Sequence, residues 1–143
     1  MPQAPVDLHA IISGAVAGLV VIVPAALAAQ LLIDHDSGWR VKALFTAVIL
    51  FGLLAAGFGG ARVGHLAPLS NGILSAMLAW AVVQGFGVVR RLIAGDDVSW
   101  GAVVFAGMLA ATTGVVGATF ANWFQRRIDS AEARAWGDRQ PPA

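Results

Sequence analysis

The sequence predicts an all-α, polytopic membrane protein, with four transmembrane helices packed as an up-down-up-down bundle. Three observations predict it. Of the 143 residues, 58% are hydrophobic and only 12% charged, against roughly a quarter charged in an average soluble domain. Four runs, 10–33, 43–61, 69–89 and 100–124, contain no Asp, Glu, Lys or Arg. The connectors between them are short, which sets each helix antiparallel to its sequence neighbour and puts both termini on one side. A helix rises about 1.5 Å per residue, so about 20 residues cross hydrocarbon about 30 Å thick. All four runs reach, the second with least to spare. Lipid offers the backbone no hydrogen-bond partner, so each run is expected to be helical. A soluble helical domain would instead show polar stripes at the helical period, and these runs are apolar nearly all round.

The first span, 10–33, competes with a cleaved signal peptide, since "ALAAQ" at 26–30 would pass as a cleavage site. Its preceding segment "MPQAPVDLHA" has no Lys or Arg and the apolar stretch is too long, which favours a retained helix. Pro24 falls mid-span and frees the carbonyl of Val20, so a kink is expected. "DHDSGWR" (34–40) leads to the second span, 43–61, and "RVGHLAP" (62–68) to the third, 69–89, where Pro68 suits a helix start. "RRLIAGDDVS" (90–99) leads to the fourth, 100–124, and Gly95 within it suits a helix end. In the tail, residues 125–143, Ile128, Ala131, Ala135 and Trp136 share one helical face. A short amphipathic helix on the membrane is expected there, then disorder.

The terminal side carries Arg62, Arg126, Arg127, Arg134 and Arg139, the opposite side Arg40, Lys42, Arg90 and Arg91. The Arg126–Arg127 pair directly after the last span favours cytoplasmic termini. Trp39 and Trp100 then mark the outer interface and Trp123 the inner one.

The two halves read as tandem copies of one helical hairpin. Asp36, Ser37, Gly38, Trp39 is matched by Asp97, Val98, Ser99, Trp100; Ser13 and Gly14 by Asn71 and Gly72; Gly57, Gly60 and Ala61 by Gly114, Gly117 and Ala118. The competing reading is coincidence in a chain rich in Ala, Gly and Val. Asp36 and Asp97 also suit helix capping.

"GFGGARVGH" (57–65) invites a phosphate-loop reading, but after Gly57 and Gly59 the third fingerprint place is Arg62, and no Gly-Lys-Ser/Thr exists. A four-residue spacing fits better. Gly52, Ala56, Gly60 and Gly64 share one face of the second helix; Ala10, Gly14 and Gly18 share one on the first; Ala110, Gly114 and Ala118, with Gly117 nearby, mark the fourth. Such small-residue faces let helix backbones approach in lipid, where the hydrophobic effect does not draw helices together. Gly14, Gly18, Gly52, Ala56, Gly60, Gly64, Gly114 and Gly117 are therefore the expected helix-packing residues.

The paired spans, the Ser13–Gly14 start of the first and the glycine-rich close of the second followed by Arg62, Gly64 and His65 resemble a group of small bacterial four-helix integral membrane proteins of unknown function. The resemblance covers about residues 8–124. It implies a fold and a location in the membrane, and no activity.

Little chemistry is written in the chain. It has no cysteine, hence no disulfide, thiolate metal site or iron–sulfur cluster. The net charge of +1 gives no basic face for nucleic acid. No charge lies at depth, as a proton relay would need. His9 and His65 fall on one side and His35 opposite, short of a ligand set, so no metal or cofactor is expected; nor is there a Ser, His, Asp set or a carboxylate pair for catalysis. Arg62 with His65 is a candidate contact for an anionic headgroup.

The expected function is therefore non-enzymatic: a structural or accessory subunit that assembles through small-residue faces, as a homo-oligomer or within a larger membrane complex. The alternative is a small oligomeric channel or transporter lined by Gln30, Gln84, Thr112 and Thr113. Such polar side chains otherwise bond between helices, each contributing about 0.6 kcal/mol.

Overall fold

The computed structural model describes residues 6–32, 38–64 and 66–137. They form four helices: α1 (Leu8–Leu32), α2 (Trp39–Val63), α3 (Pro68–Ala94) and α4 (Trp100–Gly137). Each is long and apolar enough to cross a membrane. The helices outrun the apolar runs at most ends, because Trp, Arg and Lys continue a helix readily once its backbone bonds are made. α2 takes in Trp39, Arg40 and Lys42, and α3 takes in Arg90 and Arg91. The largest departure is α4. It does not stop at Phe124 but continues as one helix to Gly137, so the tail expected to be a separate membrane-lying helix is an extension of the last span. Residues 138–143, expected to be disordered, lie outside the described residues.

Local chemistry explains the helix ends. Asp7 starts α1: its carboxylate accepts the N–H of His9 at 2.9 Å and of Ala10 at 3.3 Å, covering two free donors at the positive end of the helix. α1 runs through Pro24 as one unbroken helix. Gly38 precedes α2 and offers it no side-chain cap; Asp36, the expected capping residue, lies outside the described residues. Pro68 occupies the first turn of α3, where its missing N–H is no loss. Gly95 ends α3 at φ 76°, in the left-handed region, and its N–H reaches the carbonyls of Arg91 and Leu92.

The core is built of small residues. Ala10, Ala15, Ala25, Ala56, Ala61, Ala76, Ala79, Ala110, Ala118 and Ala121 are buried, and among the described residues Ile11, Ile22 and Leu53 are their larger buried aliphatic partners. Large apolar side chains point outward instead, Leu31 at 84% and Ile93 at 82% exposure. Water would penalise such an inside-out distribution; a lipid solvent does not.

α2 and α3 form the middle of the bundle and each touches all the other helices, whereas α1 and α4 do not touch among the described residues. Contacts between α1 and α2 run in opposite order along the two helices. Gly14 lies against Gly60 and Ala56, Gly18 against Ala56 and Gly52, and Ile22 against Gly52. α3 and α4 behave alike: Gly72 meets Ala118, Ala76 meets Gly114, and Trp80 meets Gly107. A Cβ on Gly57 would sit 2.6 Å from the carbonyl oxygen of Gly114, and one on Gly72 2.6 Å from that of Gly57. Backbones of α2, α3 and α4 are thus in direct contact, which only glycine permits.

This close approach is confined to one end. A Cβ on Gly85, Gly87 or Gly101 would meet nothing within 4 Å. Among the described residues the bundle tapers, closed at the end where α1 begins and open at the end where α1 finishes.

Candidate functional site

Each end of the taper carries its own polar chemistry. At the closed end, Asn71 and Ser75 are the buried polar residues among those described, both at 0% exposure. Pro68 fixes the start of α3, and the first turns then carry Asn71 inward beneath the α2–α3 connector. Asn71 Oδ1 accepts the backbone N–H of Asp7 at 3.1 Å, and Nδ2 donates to the carbonyl of Gly64 at 3.5 Å. The Ser75 hydroxyl donates to the carbonyl of Asn71 at 2.7 Å, and its oxygen packs against Gly14 and Gly60. One amide thus joins the segment before α1, the end of α2 and the start of α3. Buried partners of this kind are costly to leave unpaired, so the cluster fixes where three chain segments meet. Its hydrogen bonds tie backbone groups together, and the capping carboxylate of Asp7 lies beside it.

The sequence presented Asn71 only as a counterpart of Ser13. Its position four residues before Ser75, on the face that carries Gly72 and Ala76, is the signal that marks it as inward-facing.

At the open end the helices part and leave space. A half-open cavity of about 200 Å³ touches all four helices, lined by Ile22, Thr46, Leu53, Trp80, Gln84 and Ala106 among others. The Trp80 ring packs on Gly107, and its indole N–H is buried without a partner. One turn further along α3, Gln84 borders both this cavity and a second one of about 160 Å³ between α3 and α4, which also reaches Arg91 and Ser99. Between α1 and α3 lies an apolar groove of about 410 Å³, bordered by Val23, Leu27, Val82 and Phe86. It shares Gln30 and Gly87 with a polar cleft of about 360 Å³ at the rim, where Arg90, Arg91 and Asp96 gather. Arg90 Nη1 donates to Gln30 Oε1 across the two helices.

The polar residues expected to share a pore lining are dispersed. Gln30 sits at the α1–α3 rim and Gln84 in the interior. Thr112 and Thr113 border none of the spaces that Gln30 and Gln84 line. Their hydroxyls donate to carbonyls of their own helix, Thr112 to Met108 and Leu109, and Thr113 to Leu109 at 2.6 Å. A hydroxyl one turn beyond a carbonyl finds its partner without leaving the helix, which a linear reading of polar residues does not register.

The glycines expected at packing faces are all buried: Gly14, Gly18, Gly52, Gly60, Gly64, Gly114 and Gly117, together with Ala56. Each abuts another helix of this same chain. Gly117, for instance, faces the carbonyl of Leu54, and Gly64 faces the Asn71 amide. Arg62 is exposed at the end of α2, and its suggested companion His65 lies outside the described residues. Among the described residues no three His, Cys, Asp or Glu side chains gather as a metal site would require. Where α4 leaves the apolar region, the Arg127 guanidinium stacks 4.0 Å from the centre of the Trp123 ring, a cation–π contact suited to a membrane interface.

No protein-family model matches the chain, and no curated protein or solved structure matches it either.

Proposed function

We propose that this chain is a non-enzymatic, multi-pass membrane protein, a structural or accessory subunit that assembles with copies of itself or within a larger membrane complex. Its helices then run up-down-up-down with both termini in the cytoplasm, the Arg126–Arg127 pair holding α4 at the inner leaflet. The supporting observation is how the small residues are divided. Those at the closed end are consumed inside the chain, where they make the four-helix unit rigid. A second small pair, Ala81 and Gly85, lies exposed on α3 one turn apart, with nothing near the Cβ position of Gly85. Close approach by a further helix has room there and is blocked at the inward faces. Assembly therefore uses Ala81–Gly85 and not Gly60.

A tandem-hairpin origin fits the same geometry. Adding 58 to both members of the contacts Gly14–Gly60 and Gly18–Ala56 gives Gly72–Ala118 and Ala76–Gly114, which are contacts too. This single offset supports a repeat of α1–α2 as α3–α4.

Gly85→Leu tests the assembly reading. The folded unit is expected to survive, since the added side chain enters open space, while the oligomer or co-purifying partner is lost in light-scattering chromatography and in-membrane cross-linking. An unchanged assembly in a folded Gly85→Leu protein counts against it. Solute or ion flux through liposomes containing the purified chain would favour the channel alternative instead.

A further inference from the structure

We infer that the open end binds one anionic phospholipid, its phosphate on Arg90 and Arg91 and one acyl chain in the groove between α1 and α3. Four features converge on this occupant. The groove and the rim cleft share Gln30 and Gly87, so an apolar channel opens directly into a polar pocket. The groove follows α1 from Val23 to Gln30, about 10 Å at the rise of an α-helix, in the direction an acyl chain takes through a leaflet.

The charge is complementary as well. Among the described residues that line it, the cleft holds two guanidinium groups and one carboxylate, that of Asp96, and Arg90 bonds the neutral amide of Gln30, which orients its guanidinium. Guanidinium presents paired N–H donors that match phosphate oxygens. Finally, a Cβ on Gly87 would touch nothing within 4 Å, so the bare backbone at the junction leaves the passage unobstructed. Phosphatidylcholine would bring a quaternary ammonium up to the two guanidinium groups, and a free anion would leave the groove empty. The site goes beyond the assembly reading and requires only that the helices stand in a bilayer.

The test is native mass spectrometry of the purified protein, with phosphatidylglycerol or phosphatidylcholine titrated from mixed micelles. The wild-type chain is expected to hold one phosphatidylglycerol in preference to phosphatidylcholine. Replacing both rim arginines (Arg90→Gln with Arg91→Gln) should weaken it about thirtyfold, as expected from the loss of two basic side chains facing an anionic lipid. Gly87→Leu, which keeps both charges but obstructs the junction, should lower retention of phosphatidylglycerol without affecting the melting temperature. Arg126→Gln with Arg127→Gln, at the other end, should leave retention unchanged. Equal retention of the two lipids, or undiminished binding by the rim double variant, overturns the site. Undiminished binding by a folded Gly87→Leu protein leaves a headgroup contact only and overturns the groove.

Discussion

The two ends of this bundle are made of the same residue types and do opposite things. At the closed end Gly14, Gly57, Gly60, Gly72, Gly114 and Gly117 lie against backbone or small side chains of neighbouring helices; at the open end Gly85, Gly87 and Gly101 face empty space. A glycine in a membrane helix is thus not itself a packing signal. What separates the two sets is their company. The closed-end glycines stand four residues from other inward-facing small residues, as Gly14 does from Gly18 and Gly60 from Ala56, so that a continuous flat strip forms. Four residues from Gly87 stand Val83 and Arg91, and four from Gly101 stand Asp97 and Phe105.

The sharpest way to break this comparison is to put the same large side chain at both ends. Gly57→Leu drives a branched chain into the Gly114 backbone and is expected to cost about 3 kcal/mol or more, with loss of folded protein in detergent. Gly101→Leu is expected to stay within about 0.5 kcal/mol of the parent. Thermal unfolding followed by far-UV circular dichroism compares the two, and equal losses would erase the distinction between the ends.

Polar groups provide the next largest contrast. Asn71→Leu strands the N–H of Asp7 and the carbonyl of Gly64, so unfolding in a denaturing detergent titration should fall by about 1–3 kcal/mol. Gln84→Leu at the open end removes a side chain bordering a cavity and should cost less than half as much. A Gln84 variant as damaging as the Asn71 variant would mean that the interior of the open end is a tightly bonded core.

The smallest effect sharpens the picture by its absence. Thr112→Val and Thr113→Val remove hydroxyls already bonded within their own helix, and each should shift stability by no more than about 0.6 kcal/mol. The same unfolding titration measures this, and a larger loss would assign those hydroxyls a partner outside the chain.

Much of the fold could be read from the residues, because lipid makes hydropathy nearly sufficient: a charge-free run long enough to cross has no alternative to a helix. The direction in which each residue faces was legible only where small residues repeat every fourth position, as from Gly52 to Gly64. The site was harder. Gln30 and Arg90 are 60 residues apart, and their meeting depends on how far α1 and α3 diverge, which follows from side-chain packing along their whole length. Thr112 and Thr113 look alike to Gln84 in a linear reading, yet within the chain each hydroxyl is satisfied by a carbonyl of its own helix. Helix ends eluded hydropathy too: Ile128, Ala131, Ala135 and Trp136 mark the tail as helical, but nothing in them shows that it continues the fourth span without a break, as α4 does.

That last continuation has a mechanical consequence. At about 1.5 Å per residue, the 38 residues of α4 extend about 57 Å, nearly twice the hydrocarbon thickness. The excess is a stiff spindle rooted in the membrane. With no joint between Trp100 and Gly137, torque applied to the protruding part turns the embedded part with it. The angular position of Arg134 outside follows that of Gly107 on the same helix, so a neighbour gripping the spindle would bear on the face of α4 that packs against Trp80.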